Sequence, residues 1–122
     1  MRGRMRVLVV WCPDWAVVAA AAEAEIGRTS PVAVVHAHRV EVCNAPARAE
    51  GVRRGMRRRD AQARCPELAL LPANPDRDAR AFEAVLTTVE ELRPGVAALR
   101  PGLLAVRAPG GWFGSEANAA AT

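Results

Sequence analysis

The chain has 122 residues, 51% of them hydrophobic, and a formal net charge of +4. That length and apolar fraction exclude a disordered tail and leave one domain, or part of a larger one, with side chains enough for a buried core. All 17 basic residues are arginine, a balance that suits an anionic partner and that a GC-rich coding sequence also writes.

No apolar run approaches the roughly 20 residues that a membrane-spanning helix needs, so no membrane partner is expected. Arg2, Arg4 and Arg6 precede an apolar stretch, as in a secretory leader. Pro13 and Asp14 interrupt that stretch early, however, and Glu23 and Glu25 follow Ala19 to Ala22, so the segment reads as mature protein. Cys12, Cys43 and Cys65 are odd in number and scattered, which points to a reducing compartment, the cytoplasm. His36 and His38 alternate without a nearby carboxylate or cysteine pair and are not read as metal ligands.

In chain order, residues 6–11 (RVLVVW) predict a buried strand. Residues 13–26 predict a helix, with Pro13 in its first turn, Asp14 at its positive end and Gly27 terminating it. The next segment predicts strands at 32–36 and 39–43, joined too tightly for anything but a hairpin. The stretch from Arg48 to Arg64 then holds seven arginines. Two short helices are expected there, over 46–50 and 57–64, the second stopped by Pro66. "LALLP" follows as a short strand. The helix over 75–92 has Asn74 as its cap, Pro75 in first position, Asp76 and Asp78 in its first turn, and an apolar stripe of Phe82, Val85, Leu86, Val89 and Leu92. Arg93 and Pro94 end it. Two strands meet at a Pro101-Gly102 turn, and from Ala108 onward a loop or a truncated continuation is expected. This order predicts an α+β fold: a mixed, largely antiparallel sheet with helices on one face and a small helical insert.

The insert "APARAEGVRRGMRRRDAQARCPELALLP" resembles the fingers segment of Y-family, translesion DNA polymerases, through Ala47-Arg48, Gly51-Val52-Arg53, Gly55-Met56, Ala61, Cys65-Pro66 and Leu71-Pro72. "VLVVWCPDW" and "GVAALRPGLLAVRA" sit where that family has its first palm strand and its catalytic hairpin. The resemblance spans about residues 6–107, and residues 1–107 are read as a partial palm with the fingers insert at about 45–72. Within the family, "VVWCPDW" and "RPGLLA" look most like the ImuB type, a polymerase-like protein of damage-induced mutagenesis.

The resemblance implies two-metal nucleotidyl transfer, in which acids on the first strand and the hairpin hold two Mg²⁺ ions. It also puts Trp11 and then Gly102 and Leu103 at those acid positions, Pro13 at a lesser acid, Ala16 at the aromatic steric gate and Ala45 at the tyrosine before the nucleotide-gripping Arg48. Independently of any family, no Asp or Glu occurs between Glu91 and Glu116, and none precedes Asp14. No catalytic residue and no cofactor is therefore expected, with Mg²⁺ required only if an active polymerase is hidden by misalignment. Trp11 reads as a plug for the space left by an absent metal-triphosphate site, in preference to a base-stacking platform. Arg48, Arg53, Arg54, Arg57 and Arg58 are the expected phosphate contacts to DNA or nucleotide, with Arg48 alternatively paired to Glu50 or Asp60.

These readings converge on a non-catalytic Y-family homologue in DNA repair, binding DNA and bridging partners. The resemblance implies a sliding clamp, a RecA-like accessory protein and an error-prone C-family DNA polymerase as those partners, with clamp-binding and further domains expected beyond residue 122. An active error-prone polymerase and a small basic DNA-binding module are the alternatives.

Overall fold

The computed structural model describes the backbone of residues 5–92 and 94–109. Ten elements follow one another: β1 (Met5–Trp11), α1 (Trp15–Glu23), β2 (Val32–His36), β3 (Arg39–Cys43), α2 (Ala45–Ala49), α3 (Arg58–Arg64), β4 (Ala69–Pro72), α4 (Pro75–Leu92), β5 (Val96–Arg100) and β6 (Leu103–Pro109). The strands form two three-stranded sheets, ordered β1-β6-β5 and β3-β2-β4. The chain divides into two compact units, Met1–Pro13 with Arg80–Thr122, and Asp14–Ala79.

In the first unit β6 pairs antiparallel with both β1 and β5. Leu104 and Val106 are buried, and across the ladder they face the half-buried Val10 and Leu8. The alternate residues Val7, Val9 and Trp11 are exposed, as the two-residue period of a strand requires. Pro101-Gly102 makes the expected tight turn: proline fixes its own φ, and Gly102 takes a φ of 90°, which a side chain would resist. β6 runs on to Pro109, two residues into the expected loop. The rest of that loop, and Arg93, lie outside the described residues.

In the second unit β2 is the central strand and both its faces are buried. Val32 and Val34 pack with Val17 and Ala20 of α1 on one face. On the other, Ala33 joins Val40, Cys43, Ala47, Val52, Ala61, Cys65 and Leu68, so that α2, α3 and their connections close over the sheet. β3 pairs antiparallel with β2, whereas β4 pairs parallel to it, reached through the α2–α3 segment.

Local chemistry sets the helix ends. Asn74 caps α4 as expected, its side-chain oxygen accepting from Arg77 N–H at 3.1 Å. Within the stripe of α4, Phe82 is buried and Val85, Leu86 and Val89 are half-buried, but Leu92 is 81% exposed. Glu90, on the last turn, accepts from the N–H groups of Gly95 and Val96 and so fixes the start of β5.

α1 is shorter than its apolar run. It starts at Trp15, because Asp14 takes a left-handed φ of 59°. It ends at Glu23 rather than at Gly27. Glu25, at φ 58°, adopts the left-handed conformation, with Ile26 N–H bonded to Ala21 O and Glu25 N–H to Ala22 O. That is the paired closure of a Schellman end with glutamate in glycine's usual place.

Candidate nucleic-acid interface

The acid positions implied by the resemblance come together in the first unit. Trp11, the last residue of β1, stands opposite Leu103, the first of β6, and Cys12 N–H donates to Gly102 O at 2.6 Å. The two motifs therefore meet, and they meet as an indole, a glycine and a leucine. None supplies the side-chain oxygen that a hard divalent ion takes. The residues present do not fit a pair of Mg²⁺ ions. Among the described residues no group of three or more His, Cys, Asp or Glu side chains lies close enough to hold a metal. Trp11 is 66% exposed, so the expected plug is not what the structure shows: an outward position at the end of a strand leaves the indole on the surface.

The five expected phosphate-binding arginines lie in the second unit, and the structure divides them. Arg48 and Arg53 are engaged by their own chain. Arg48 Nη1 donates to Cys43 O at 2.5 Å and to Asp14 Oδ2 at 3.1 Å. Its acid partner is therefore Asp14, not Glu50 or Asp60, because α2 directs it back toward the start of α1. Asp14 makes no side-chain cap bond to its own helix, so its carboxylate serves Arg48 in place of the helix end. Arg53 Nη1 donates to the carbonyls of Arg48 and Val52, each at 2.8 Å. Arg54 is exposed in the turn closed by Met56 N–H to Arg53 O at 3.2 Å.

Arg57 and Arg58 belong to a different place. With His38, Arg39, Arg59 and Gln62 they line an open trough of about 700 Å³. One wall is the β2–β3 turn, the other the first turns of α3. Arg39 and Arg57 form an antiparallel bridge, Val40 N–H bonds Met56 O at 2.8 Å, Gly55 N–H bonds Val40 O at 2.7 Å, and Arg58 N–H bonds His38 O at 2.9 Å. The Arg39 guanidinium is steadied by Gly55 O at 2.8 Å. Among the described residues no acid lines the trough. Sequence reasoning counted Arg59 in the arginine cluster but did not bring His38, Arg39 or Gln62 to it; the signal that could have found them was Arg39 directly after a two-residue hairpin turn.

Asn44 organises the base of this unit. Its side-chain oxygen accepts from Val32 N–H at 3.0 Å and from Ala47 N–H at 3.1 Å, while its amide donates to Ser30 O at 2.9 Å. One side chain thus caps α2 and ties it to the start of the central strand. Arg77, 7% exposed, lies against Asp78 at 3.0 Å and Glu23 at 3.3 Å, and Trp15 Nε1 donates to Asp78 O. Burial pushes the Cys43 thiol above its ordinary value, against the opposing pull of Arg48. Burial likewise raises Cys65, with the neighbouring Glu67 carboxylate adding to it.

The model of the impB/mucB/samB family matches residues 14–106. The chain belongs to the impB/mucB/samB family. A ternary complex of Dbh superposes with a TM-score of 0.70 at 14% identity, covering 84% of this chain and 30% of that one. A Y-family DNA polymerase chimera of Dbh and Dpo4 superposes with a TM-score of 0.68 at 14% identity, covering 84% and 32%. At that identity the likeness carries the fold, which is that of the palm-and-fingers region of Y-family polymerases. This impB/mucB/samB chain spans about 30% of the length of those solved structures. A comparison with curated proteins finds no significant match. No helix among the described residues is long and apolar enough to cross a membrane.

Proposed function

We propose that the chain is the partial palm, with a fingers insert at about 45–72, of a non-catalytic Y-family homologue of the ImuB type. It serves DNA repair, translesion synthesis and damage-induced mutagenesis from the cytoplasm, at the nucleoid, by binding DNA and bridging proteins. One observation supports the loss of catalysis above all others. Where β1 meets the β5–β6 turn, Trp11 faces Leu103 beside Gly102, and the hairpin carries no acid. Two-metal phosphoryl transfer needs carboxylates aimed from rigid backbone at one point, and the backbone is in place without them. The basic insert supports a role in holding nucleic acid through phosphate contacts. The partners proposed on the ImuB resemblance are a sliding clamp, a RecA-like accessory protein and an error-prone C-family polymerase that performs the synthesis.

Primer extension with Mg²⁺ or Mn²⁺ tests the reading. The expected result is no template-directed incorporation together with salt-sensitive binding of the primer-template. Incorporation that follows the template would overturn it in favour of an active polymerase.

A further inference from the structure

We propose that the trough between the β2–β3 turn and α3 is a binding channel for the sugar-phosphate backbone of a single DNA strand, with Arg39 and Arg59 gripping phosphates beside Arg57 and Arg58. This rests on the DNA-binding reading above and adds to it the place and the kind of grip.

The charge arrangement is the first argument. Arg39, Arg57, Arg58 and Arg59 surround one concavity with, among the described residues, no acidic lining residue. Among the described residues none of the four forms an ion pair, whereas Arg48 and Arg77 each have a carboxylate within 3.3 Å. Four uncompensated guanidinium groups repel one another, and a polyanion lying between them relieves that repulsion. Planar forked donors also match phosphate oxygens better than point charges do.

The shape is the second argument. Every lining residue is exposed, so the concavity is an open channel and not a closed pocket for one nucleotide. Cations stand on both walls, which suits a single strand lying between them, while the convex backbone of a duplex would meet only the rims. Among the described residues no Trp, Phe or Tyr lines it, so binding there tracks the backbone without preference for base.

The backbone supplies the third. Ala37 and His38 both take left-handed φ values, 53° and 66°, in a two-residue turn that normally carries asparagine and glycine. This strained turn forms the wall that presents His38 and Arg39. Strain retained where a simple Asn-Gly would remove it is characteristic of functional surfaces.

The test is fluorescence anisotropy of labelled oligothymidylate with the full chain, titrated over salt. Arg39→Glu with Arg59→Glu should weaken binding at least tenfold. The slope of log affinity against log salt should become shallower by roughly 0.7 for each phosphate that is no longer neutralised. Arg39→Gln with Arg59→Gln, which removes charge without reversing it, gives the same direction if the reversed variant fails to fold. Wild-type affinity in the neutral variant, with the unaltered chain binding DNA, would overturn the channel and leave the DNA-binding reading standing. No binding by the unaltered chain would overturn both. Equal affinity for duplex, or strong preference for one base at equal length, would overturn the single-strand backbone assignment.

Discussion

Arg48 donates to Asp14 across 34 residues of sequence, at 3.1 Å. The pair joins the start of α1 to α2 within one compact unit. Side-chain exposures of 46% and 28% leave both groups open to solvent. A double-mutant cycle with Arg48→Ala and Asp14→Ala, read by urea unfolding, should give a coupling of about 0.5–1 kcal/mol, falling with salt. A coupling near zero would mean that Arg48 is held by Cys43 O alone.

Asn44 should matter more for stability than any arginine of the insert. Asn44→Ala removes two bonds accepted and one donated, leaving Val32 N–H and Ala47 N–H without their side-chain partner. The expected loss is about 2 kcal/mol, from cap removal and unpaired backbone donors. Asn44→Asp, which keeps the acceptor but sets a carboxylate oxygen against Ser30 O in place of the amide donor, should recover only part of it in the same denaturant series.

Glu25→Gly is expected to stabilise the chain. The left-handed φ of 58° strains glutamate and costs glycine nothing, so a gain of about 0.5–1 kcal/mol should appear as a higher Tm. A lower Tm would mean that the Glu25 side chain contributes more than its backbone strain removes.

Arg57→Glu with Arg58→Glu should weaken binding to single-stranded or primer-template DNA and flatten its salt dependence. The matching change at Arg48 and Arg53 should act mainly on stability, because their donors already serve backbone carbonyls and Asp14. Equal losses of DNA affinity from both pairs, at matched stability, would erase that division.

The thiols give a pH dependence of definite sign. The folded chain holds the protons of Cys43 and Cys65 more tightly than the ordinary thiol value of 9.0 implies. Their contribution to stability is therefore whole below pH 9 and is lost as pH rises through the higher folded-state values. Alkaline titration of the unfolding free energy should fall above pH 9, and Cys43→Ala with Cys65→Ala should flatten that limb. Native-state alkylation should modify the half-exposed Cys12 well before either buried thiol.

Much of the fold was legible because its signals are local. Asn74-Pro75 announces α4, Pro101-Gly102 announces the β5–β6 turn, and β2 and β3 begin and end where alternation and a two-residue gap place them. What was not legible depends on distant partners. The parallel pairing of β4 with β2 is made across α2 and α3, and nothing in "LALLP" specifies it. The division into two sheets has the same origin. Glycine signals misled at α1, since Glu25 performs the turn that Gly27 advertised. At the candidate site the acid-free hairpin could be read directly. The sorting of arginines could not: Arg48 and Arg53 face carbonyls and Asp14, whereas Arg57 and Arg58 face a trough completed by Arg39, which sits before the arginine-rich insert.

β1 has β6 on one side and, among the described residues, no strand on the other. From Val7 to Trp11 it has no charge, proline or bulge, and Val7, Val9 and Trp11 are exposed. A border of this kind is a place where an extended segment can pair in register. If copies of this chain associate along that border at high concentration, a charge introduced at Val9 should keep them apart, as read by sedimentation.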